Sequence, residues 1–311
     1  MPDIVISEFM DEAALKKAAR NFDVHYDPEL VDKPEELSVL LAKARALVVR
    51  NRTRVDRNLL QVAPELKVVG RLGVGLDNID LNACVESGVE VRPATGANDA
   101  AVAEWVIIAS MMLLRGAFLS KQACLAGEWP RNQCIGRESG GKIMGLIGLG
   151  GIGRETAARA RCLGLSVVAY DPYIPSGSPV WQDIGKMEDL FTLLQTADVV
   201  SLHVPLTGET RHLIDAKAIS HMKPGAVLIN AARGGVLDEK ALAAALTEGR
   251  IGGAALDVYE TEPLTREAAG IFLDVPNLVL TPHIAGVTIE SNRRVSQLTM
   301  DNVCAVLEKL P

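Results

Sequence analysis

Two rhythms of hydrophobic positions alternate along the chain. Short unbroken apolar runs, typical of buried parallel strands, are separated by stretches whose apolar residues recur at helical spacing. The pattern predicts strands at Asp3–Ser7, Phe22–Tyr26, Ala46–Val49, Leu66–Val69 and Val89–Val91. Helices are predicted between them, over Asp11–Arg20, Pro34–Ala44, Val55–Val62 and Leu81–Glu86. Leu37, Leu40 and Leu41 share one face of the second of these, and Pro64 stops the third. Strands alternating with helices imply a parallel sheet covered on both faces.

A turn-rich boundary, Pro93–Asn98, follows. Asn98 or Asp99 then caps a long helix predicted to reach about Leu119. That helix is apolar on most faces, so it should be buried between domains or between subunits. Lys121–Arg137 reads as an irregular arm in which Trp129 suggests an interface, with core packing the competing reading. The alternation then resumes. Strands are predicted before Gly148 and at Leu165–Tyr170, Ala226–Asn230, Gly253–Leu256 and Leu278–Leu280, and Val199–Pro205 reads as a strand and its loop. Helices are predicted at Leu190–Gln195, Asp215–His221 and Asp238–Thr247. A closing helix from about Ile289 to Leu310 is expected to cross back to the first half. The reading is thus of two doubly wound α/β domains: residues 1–98 with 287–311, and residues 99–286 inserted between them.

Between the strand before Gly148 and the helical pattern after it stands Gly148-Leu149-Gly150-Gly151-Ile152-Gly153. In such a loop Gly148 permits the tight turn, Gly150 lets a pyrophosphate approach the backbone, and Gly153 allows close helix packing. Free N–H groups and the positive end of the helix dipole, at Gly151 and Ile152, would hold the phosphates. Asp171 follows the next strand, about 20 residues on, where a carboxylate accepts hydrogen bonds from an adenosine ribose. A dinucleotide site follows from this combination.

Composition narrows the function. The 311 residues are 48% hydrophobic and 23% charged, as in soluble globular proteins, with only 4% aromatics. A net charge of -7 argues against nucleic acid as the main partner. The five cysteines include no C-x-x-C, which suggests reduced thiols in the cytoplasm and no metal site. Neither a signal peptide nor an apolar run of about 18 residues is visible, so no membrane partner is expected.

Ligands of open parallel sheets sit beyond the carboxyl ends of strands. Several polar residues of the second half lie there. Arg233, between a strand and two glycines, can hold a carboxylate in a bidentate fork and polarise a carbonyl. His283 suits proton transfer near neutral pH. Glu262, with Glu260 as its rival, can fix the tautomer of an imidazole and raise its pKa above ~6.5. Asp257 could accept from a nicotinamide carboxamide, or serve only a turn. His203 and Pro205 are expected to line the cofactor cleft.

The glycine loop, Asn230-Ala231-Ala232-Arg233-Gly234, Asp257-Val258-Tyr259-x-x-Glu262-Pro263 and Thr281-Pro282-His283-Ile284 together resemble the D-isomer-specific 2-hydroxyacid dehydrogenases. The likeness spans the chain, because Gly73-Val74-Gly75-Leu76-Asp77-Asn78 resembles that family's substrate-carboxylate loop and Ala101–Glu104 its interdomain helix. It implies a Rossmann NAD-binding domain inserted into a flavodoxin-like substrate domain. It also implies Arg233, Glu262 and His283 as the catalytic set, with Glu262 preferred to Glu260 by its place before Pro263. Cofactor contacts are implied at Gly148, Gly150, Gly151, Ile152, Gly153, Asp171, His203, Pro205, Ala231, Asp257 and Gly286. Substrate contacts are implied at Val74, Gly75 and Arg233.

The implied reaction transfers a hydride between nicotinamide and C2 of a 2-hydroxy or 2-keto acid. His283 would pass the proton, Glu262 orient His283, and Arg233 hold the carboxylate. The cleft between the domains would close to exclude water. Asp171 favours NAD, since a 2′-phosphate would meet its like charge. Arg50-Asn51-Arg52, after a strand of the first half, could reach the distal end of an acid with a polar or anionic tail, the competing reading being that one or both arginines are solvated. Hydroxypyruvate, glyoxylate, 3-phosphoglycerate and 3-sulfolactate are the substrates the resemblance suggests. A homodimer through the 99–137 helix and arm is expected. An NADH-responsive corepressor-like binding protein is the alternative.

Overall fold

The computed structural model describes residues 2–116 and 120–309. The chain divides into two compact units, Met1–Asn98 with Val287–Pro311, and Asp99–Gly286.

The first unit is built on β1 (Ile4–Ile6), β2 (Val24–Tyr26), β3 (Ala46–Val49), β4 (Val68–Arg71) and β5 (Glu90–Pro93). All pairings are parallel, in the order β2-β1-β3-β4-β5. This is the flavodoxin-like order. The crossovers carry α1 (Glu12–Ala18), α2 (Pro34–Leu41), α3 (Arg57–Gln61) and α4 (Leu81–Glu86). Asp11, Asp56 and Asp80 start α1, α3 and α4, each carboxylate accepting from a first-turn N–H. Both sheet faces are apolar because each is covered. Ile4, Ile6, Ala46 and Val48 enter one core, while Val5, Leu47 and Val49 enter the other.

The second unit begins with α5 (Asp99–Arg115) and α6 (Lys121–Leu125). Its sheet comprises β6 (Ile143–Ile147), β7 (Ser166–Tyr170), β8 (Gly185–Lys186), β9 (Val199–Leu202), β10 (Val227–Asn230), β11 (Gly253–Leu256) and β12 (Leu278–Leu280). The parallel order β12-β11-β10-β9-β6-β7-β8 is that of a Rossmann sheet with one added strand. The helices are α7 (Gly151–Cys162), α8 (Leu190–Thr196), α9 (Ala216–His221) and α10 (Glu239–Thr247). Alternate strand residues again serve two cores: Ile147, Val200 and Leu228 one, Met144, Leu146 and Ile229 the other.

α11 (Ile289–Leu307) returns to the first unit. A Cβ on Gly70 would stand 2.6 Å from Val303 and 2.9 Å from Thr299, so the missing side chain lets α11 lie against β4. Leu310, the expected helix end, is outside the described residues, as are residues 117–119 at the expected end of α5.

Several boundaries differ from the sequence expectation. Val55 is not helical; it forms a parallel bridge with Ile79, and Asp56 caps a shorter helix. Part of the arm expected to be irregular forms α6. The buried face of α5 packs within its own unit, on α7 and the sheet, while Ile108 is 58% exposed. Trp129 is 79% exposed, which excludes core packing.

Candidate active site

In the second unit the strand order reverses between β9 and β6, and the glycine loop leaves the sheet there. Gly148 has φ +89°, and a Cβ on it would lie 2.6 Å from the His203 carbonyl oxygen. The turn and the end of β9 are therefore in contact. Gly150 starts α7 in extended conformation, and its Cβ position is open. Gly151 and Ile152 occupy the first turn of α7, and Gly153 packs on the Gly148 carbonyl, 2.7 Å from its Cβ position. Asp171, just beyond β7, accepts the Leu149 N–H at 2.9 Å and the Tyr173 N–H at 3.0 Å. It thus holds the glycine loop from the position expected for a ribose-binding acid. The open Cβ position of Gly150 at the start of α7 and an acid after the second strand fit a dinucleotide, while the Asp99 carboxylate occupies the Cβ position of Gly151, 2.1 Å from Oδ2.

His203 Nε2 lies 3.0 Å from Ser201 Oγ, and burial pushes its pKa down to about 4. A neutral ring beside the loop is suited to lining a cleft. Pro205, exposed, accepts the Thr210 hydroxyl on its carbonyl at 2.6 Å.

Arg233 is carried by a turn built by Asn230. The buried Asn230 side chain accepts the Ala232 N–H at 3.1 Å and donates to the Arg233 carbonyl at 2.9 Å. A Cβ on Gly234 would fall 1.8 Å from the Tyr259 carbonyl oxygen, so only glycine allows this turn to press on the loop after β11. That loop carries Glu262. Its carboxylate accepts the Tyr259 N–H at 3.0 Å on one oxygen and meets His283 Nδ1 at 2.7 Å with the other. Burial opposes ionisation of Glu262, but His283, then the Tyr259 N–H and last the Arg233 charge together outweigh it and hold the carboxyl below its ordinary range. Arg233, Glu262 and His283 are thereby brought together, and Glu260 is not. Glu260 meets His212 at 3.2 Å, its carboxylate accepts the N–H of the buried Glu239 at 3.3 Å, and its own N–H donates to the Glu239 carboxylate at 2.7 Å.

His283 has φ 55° and a half-exposed side chain. Such a conformation is costly for a non-glycine residue and needs surrounding support. Asp257 supplies it. Its buried carboxylate accepts Thr281 Oγ1 at 2.5 Å, Ile284 N at 2.8 Å and Ala285 N at 2.8 Å. Tyr259, whose hydroxyl is pushed up to about 12 by burial, donates to the Thr281 carbonyl at 2.8 Å. Three acceptor positions of Asp257 are therefore occupied, leaving at most one for a carboxamide. Ala231 follows β10, and Gly286 closes the His283 loop and the unit. The turn role that the sequence left open for Asp257, immediately past β11, is the one these bonds show, whereas the clasp by Tyr259, three positions past that strand, escapes sequence reading.

In the first unit Val74 and Gly75 lie half-buried in the loop after β4. Arg50, Asn51 and Arg52 follow β3; Asn51 and Arg52 are exposed, and Arg50 is half-buried. Among the described residues no cluster of three potential metal ligands occurs, and no helix is long and apolar enough to cross a membrane.

Residues 107–285 match the family D-isomer specific 2-hydroxyacid dehydrogenase, NAD binding domain. The chain belongs to the D-isomer-specific 2-hydroxyacid dehydrogenases. It is 55% identical over 303 residues to the (S)-sulfolactate dehydrogenase of Chromohalobacter salexigens, covering 97% of each chain. It is 38% identical to the D-3-phosphoglycerate dehydrogenase of Archaeoglobus fulgidus, matching 99% of this chain and 58% of that longer one. A glyoxylate reductase from Paecilomyes thermophila superposes with a TM-score of 0.86 at 30% identity, covering 98% of this chain and 95% of that one. The protein is an NAD-dependent 2-hydroxyacid dehydrogenase with a Rossmann-type NAD-binding domain. These relatives are oxidoreductases and lend no support to a corepressor.

Proposed function

We propose that this dehydrogenase acts on a 2-hydroxy acid with an anionic tail, 3-sulfolactate foremost. The observation that carries this is the near full-length, 55% likeness to a sulfolactate dehydrogenase. Arg50 and Arg52 beyond β3 support it, since guanidinium matches a sulfonate or phosphate. The handedness agrees. Sulfur raises the priority of the CH2–sulfonate arm above the carboxyl, so the arrangement called D in the family is labelled (S) in sulfolactate.

When bound, NAD supplies the hydride acceptor. The chain does the rest. Arg233 holds the substrate carboxylate and polarises the C2 oxygen. In the oxidising direction the ring of His283 takes the hydroxyl proton from C2–OH; in reduction it returns a proton to the same oxygen. Glu262, bonded to Nδ1, orients His283 so that Nε2 faces the reacting oxygen. Val74 and Gly75 bind the carboxylate through backbone N–H groups. Gly148, Gly150, Gly151, Ile152 and Gly153 take the pyrophosphate, Asp171 the ribose, and His203, Pro205, Ala231, Asp257 and Gly286 the remaining cofactor contacts. On this reading the unit containing Val287–Pro311 is the substrate domain.

A homodimer through α5, α6 and the arm fits the exposed Ile108, Leu125, Trp129 and Ile135, an unusual set of large apolar side chains on one stretch. The five unpaired cysteines fit a cytoplasmic location. The deciding experiment follows NADH formation with (S)-3-sulfolactate, D-3-phosphoglycerate, D-glycerate and D-lactate. A kcat/KM for sulfolactate no higher than for D-lactate overturns the substrate reading. Sedimentation of a monomer at micromolar concentration overturns the dimer.

A further inference from the structure

In an open parallel sheet the ligand crevice lies where the strand order reverses. In the first unit that point is between β1 and β3. Two segments leave the sheet there: Ser7-Glu8-Phe9 after β1, and Arg50-Asn51-Arg52-Thr53 after β3. Glu8 is only 5% exposed, yet it is an acid among residues expected to bind an anion.

Its two oxygens account for this. Oε1 accepts the N–H groups of Arg50 at 2.9 Å and Thr53 at 3.0 Å; Oε2 accepts those of Asn51 at 3.3 Å and Arg52 at 3.1 Å. Burial opposes its ionisation, but these N–H groups outweigh burial and hold the carboxyl below its ordinary range. The turn is fastened further. Thr53 Oγ1 is 2.8 Å from Ser7 Oγ, and the Thr53 carbonyl accepts Asn78 Nδ2 at 2.6 Å. Asn78 ends the loop that begins at Gly73, and its carbonyl accepts the Val55 N–H at 2.9 Å. The segment after β3 and the segment after β4 are therefore one fastened assembly.

The consequence concerns what this turn can offer a ligand. Every N–H from Arg50 to Thr53 points at Glu8, so the backbone cannot form an anion-binding nest. Only side chains remain. Arg52 is drawn into an ion pair with the exposed Asp32. Arg50 lies over the Phe9 ring, 5.9 Å from its centroid, with Nη2 2.9 Å from Asn292 Oδ1 on α11. One face and one edge of that guanidinium are thus fixed, and the remaining N–H donors keep a defined direction.

We propose that Glu8 is the positioning residue of the anionic-tail subsite, fixing the turn so that Arg50 rather than Arg52 or the backbone meets the tail. The inference rests on the anionic-tail reading above. It applies alike to sulfonate and phosphate, which share a tetrahedral oxyanion.

The test uses the full chain and the variants Glu8→Gln, Glu8→Asp, Arg50→Gln and Arg52→Gln. NADH formation is followed with (S)-3-sulfolactate, D-3-phosphoglycerate and D-lactate, and NADH binding by fluorescence titration. Glu8→Gln keeps one acceptor oxygen and loses the other. The preference for the anionic-tail acid over D-lactate, taken as a ratio of kcat/KM, falls about tenfold and through KM rather than kcat. Arg50→Gln lowers it at least as far, Arg52→Gln less, and Glu8→Asp, which keeps the charge, less than Glu8→Gln. The better of the two anionic acids identifies the tail. If Glu8→Gln does not fold, the same comparison is made between Glu8→Asp and the parent chain. If Arg50→Gln abolishes the preference while the Glu8 variants retain it, the role of Glu8 is overturned and the tail reading stands. If Arg50→Gln leaves the preference intact, the assignment of Arg50 and with it the role of Glu8 fall while the tail reading stands; if the parent chain itself shows no preference over D-lactate, the tail reading falls.

Discussion

The glycine loop separates two requirements that sequence alone merges, since one of its glycines is needed by the fold and another, on the proposed reading, only by the ligand. Gly148→Ala places a methyl at φ +89°, 2.6 Å from the His203 carbonyl oxygen and 2.9 Å from Val204. The left-handed backbone costs about 1–2 kcal/mol for alanine. The contact is with backbone at the end of β9, so relief requires shifting a strand terminus, roughly another 1–2 kcal/mol. Loss of about 2–4 kcal/mol of unfolding free energy is expected.

Gly150→Ala is different. Its φ of -70° suits any residue, and no atom lies within 4 Å of the Cβ position. Alanine is a poorer helix N-cap by about 1 kcal/mol, offset by roughly 0.4–1 kcal/mol from a less flexible unfolded chain. Stability should change by less than about 1 kcal/mol, while the methyl enters the space proposed for the pyrophosphate. We expect NADH affinity to fall at least about tenfold. Urea unfolding without cofactor measures the first quantity and NADH fluorescence titration the second. A Gly150→Ala protein that binds NADH as tightly as the parent would refute the assignment of that space. An equally stable Gly148→Ala protein would refute the packing argument.

Other outcomes follow from the same site. His283→Ala should lose about 10²–10⁴ in kcat while NADH titration remains near normal, and near-parental turnover would remove His283 from catalysis. Asp171 should give at least about tenfold higher kcat/KM with NADH than with NADPH. Asp171→Ala should bring that ratio toward unity and lower both efficiencies, because the Leu149 N–H loses its acceptor; a parental ratio in the variant counts against the assignment. His203, with a folded pKa of about 4 against 6.5 unfolded, binds fewer protons folded than unfolded between those values. Its contribution is therefore intact above pH 6.5 and lost as pH falls toward 4, on the order of 1–3 kcal/mol. His203→Gln should flatten that part of the urea-derived stability profile, and an unchanged slope would show that the ring does not titrate as described.

Much of this protein was legible in the order of its residues. Unbroken apolar runs separated by helical spacing give two parallel α/β units, because a sheet covered on both faces needs both sides of each strand apolar. Local chemistry marks the glycine turn, the aspartates that start helices, and the arginine, glutamate and histidine that follow strands. Those features depend on neighbours a few residues away.

What only the tertiary structure decided is which of these groups meet. Glu260 and Glu262 are two residues apart, yet the first turns to His212 and Glu239 and the second to His283. The turn of Arg233 and the loop of Glu262 touch through the missing side chain of Gly234, a contact set by the register of β10 on β11. Asp257 bridges to residues 24–28 positions along the chain, and Glu8 to residues 42–45 positions away. Such meetings depend on strand order and register, which bring distant carboxyl ends side by side. The sequence therefore determined the types of group at the strand ends, and the fold determined their pairing.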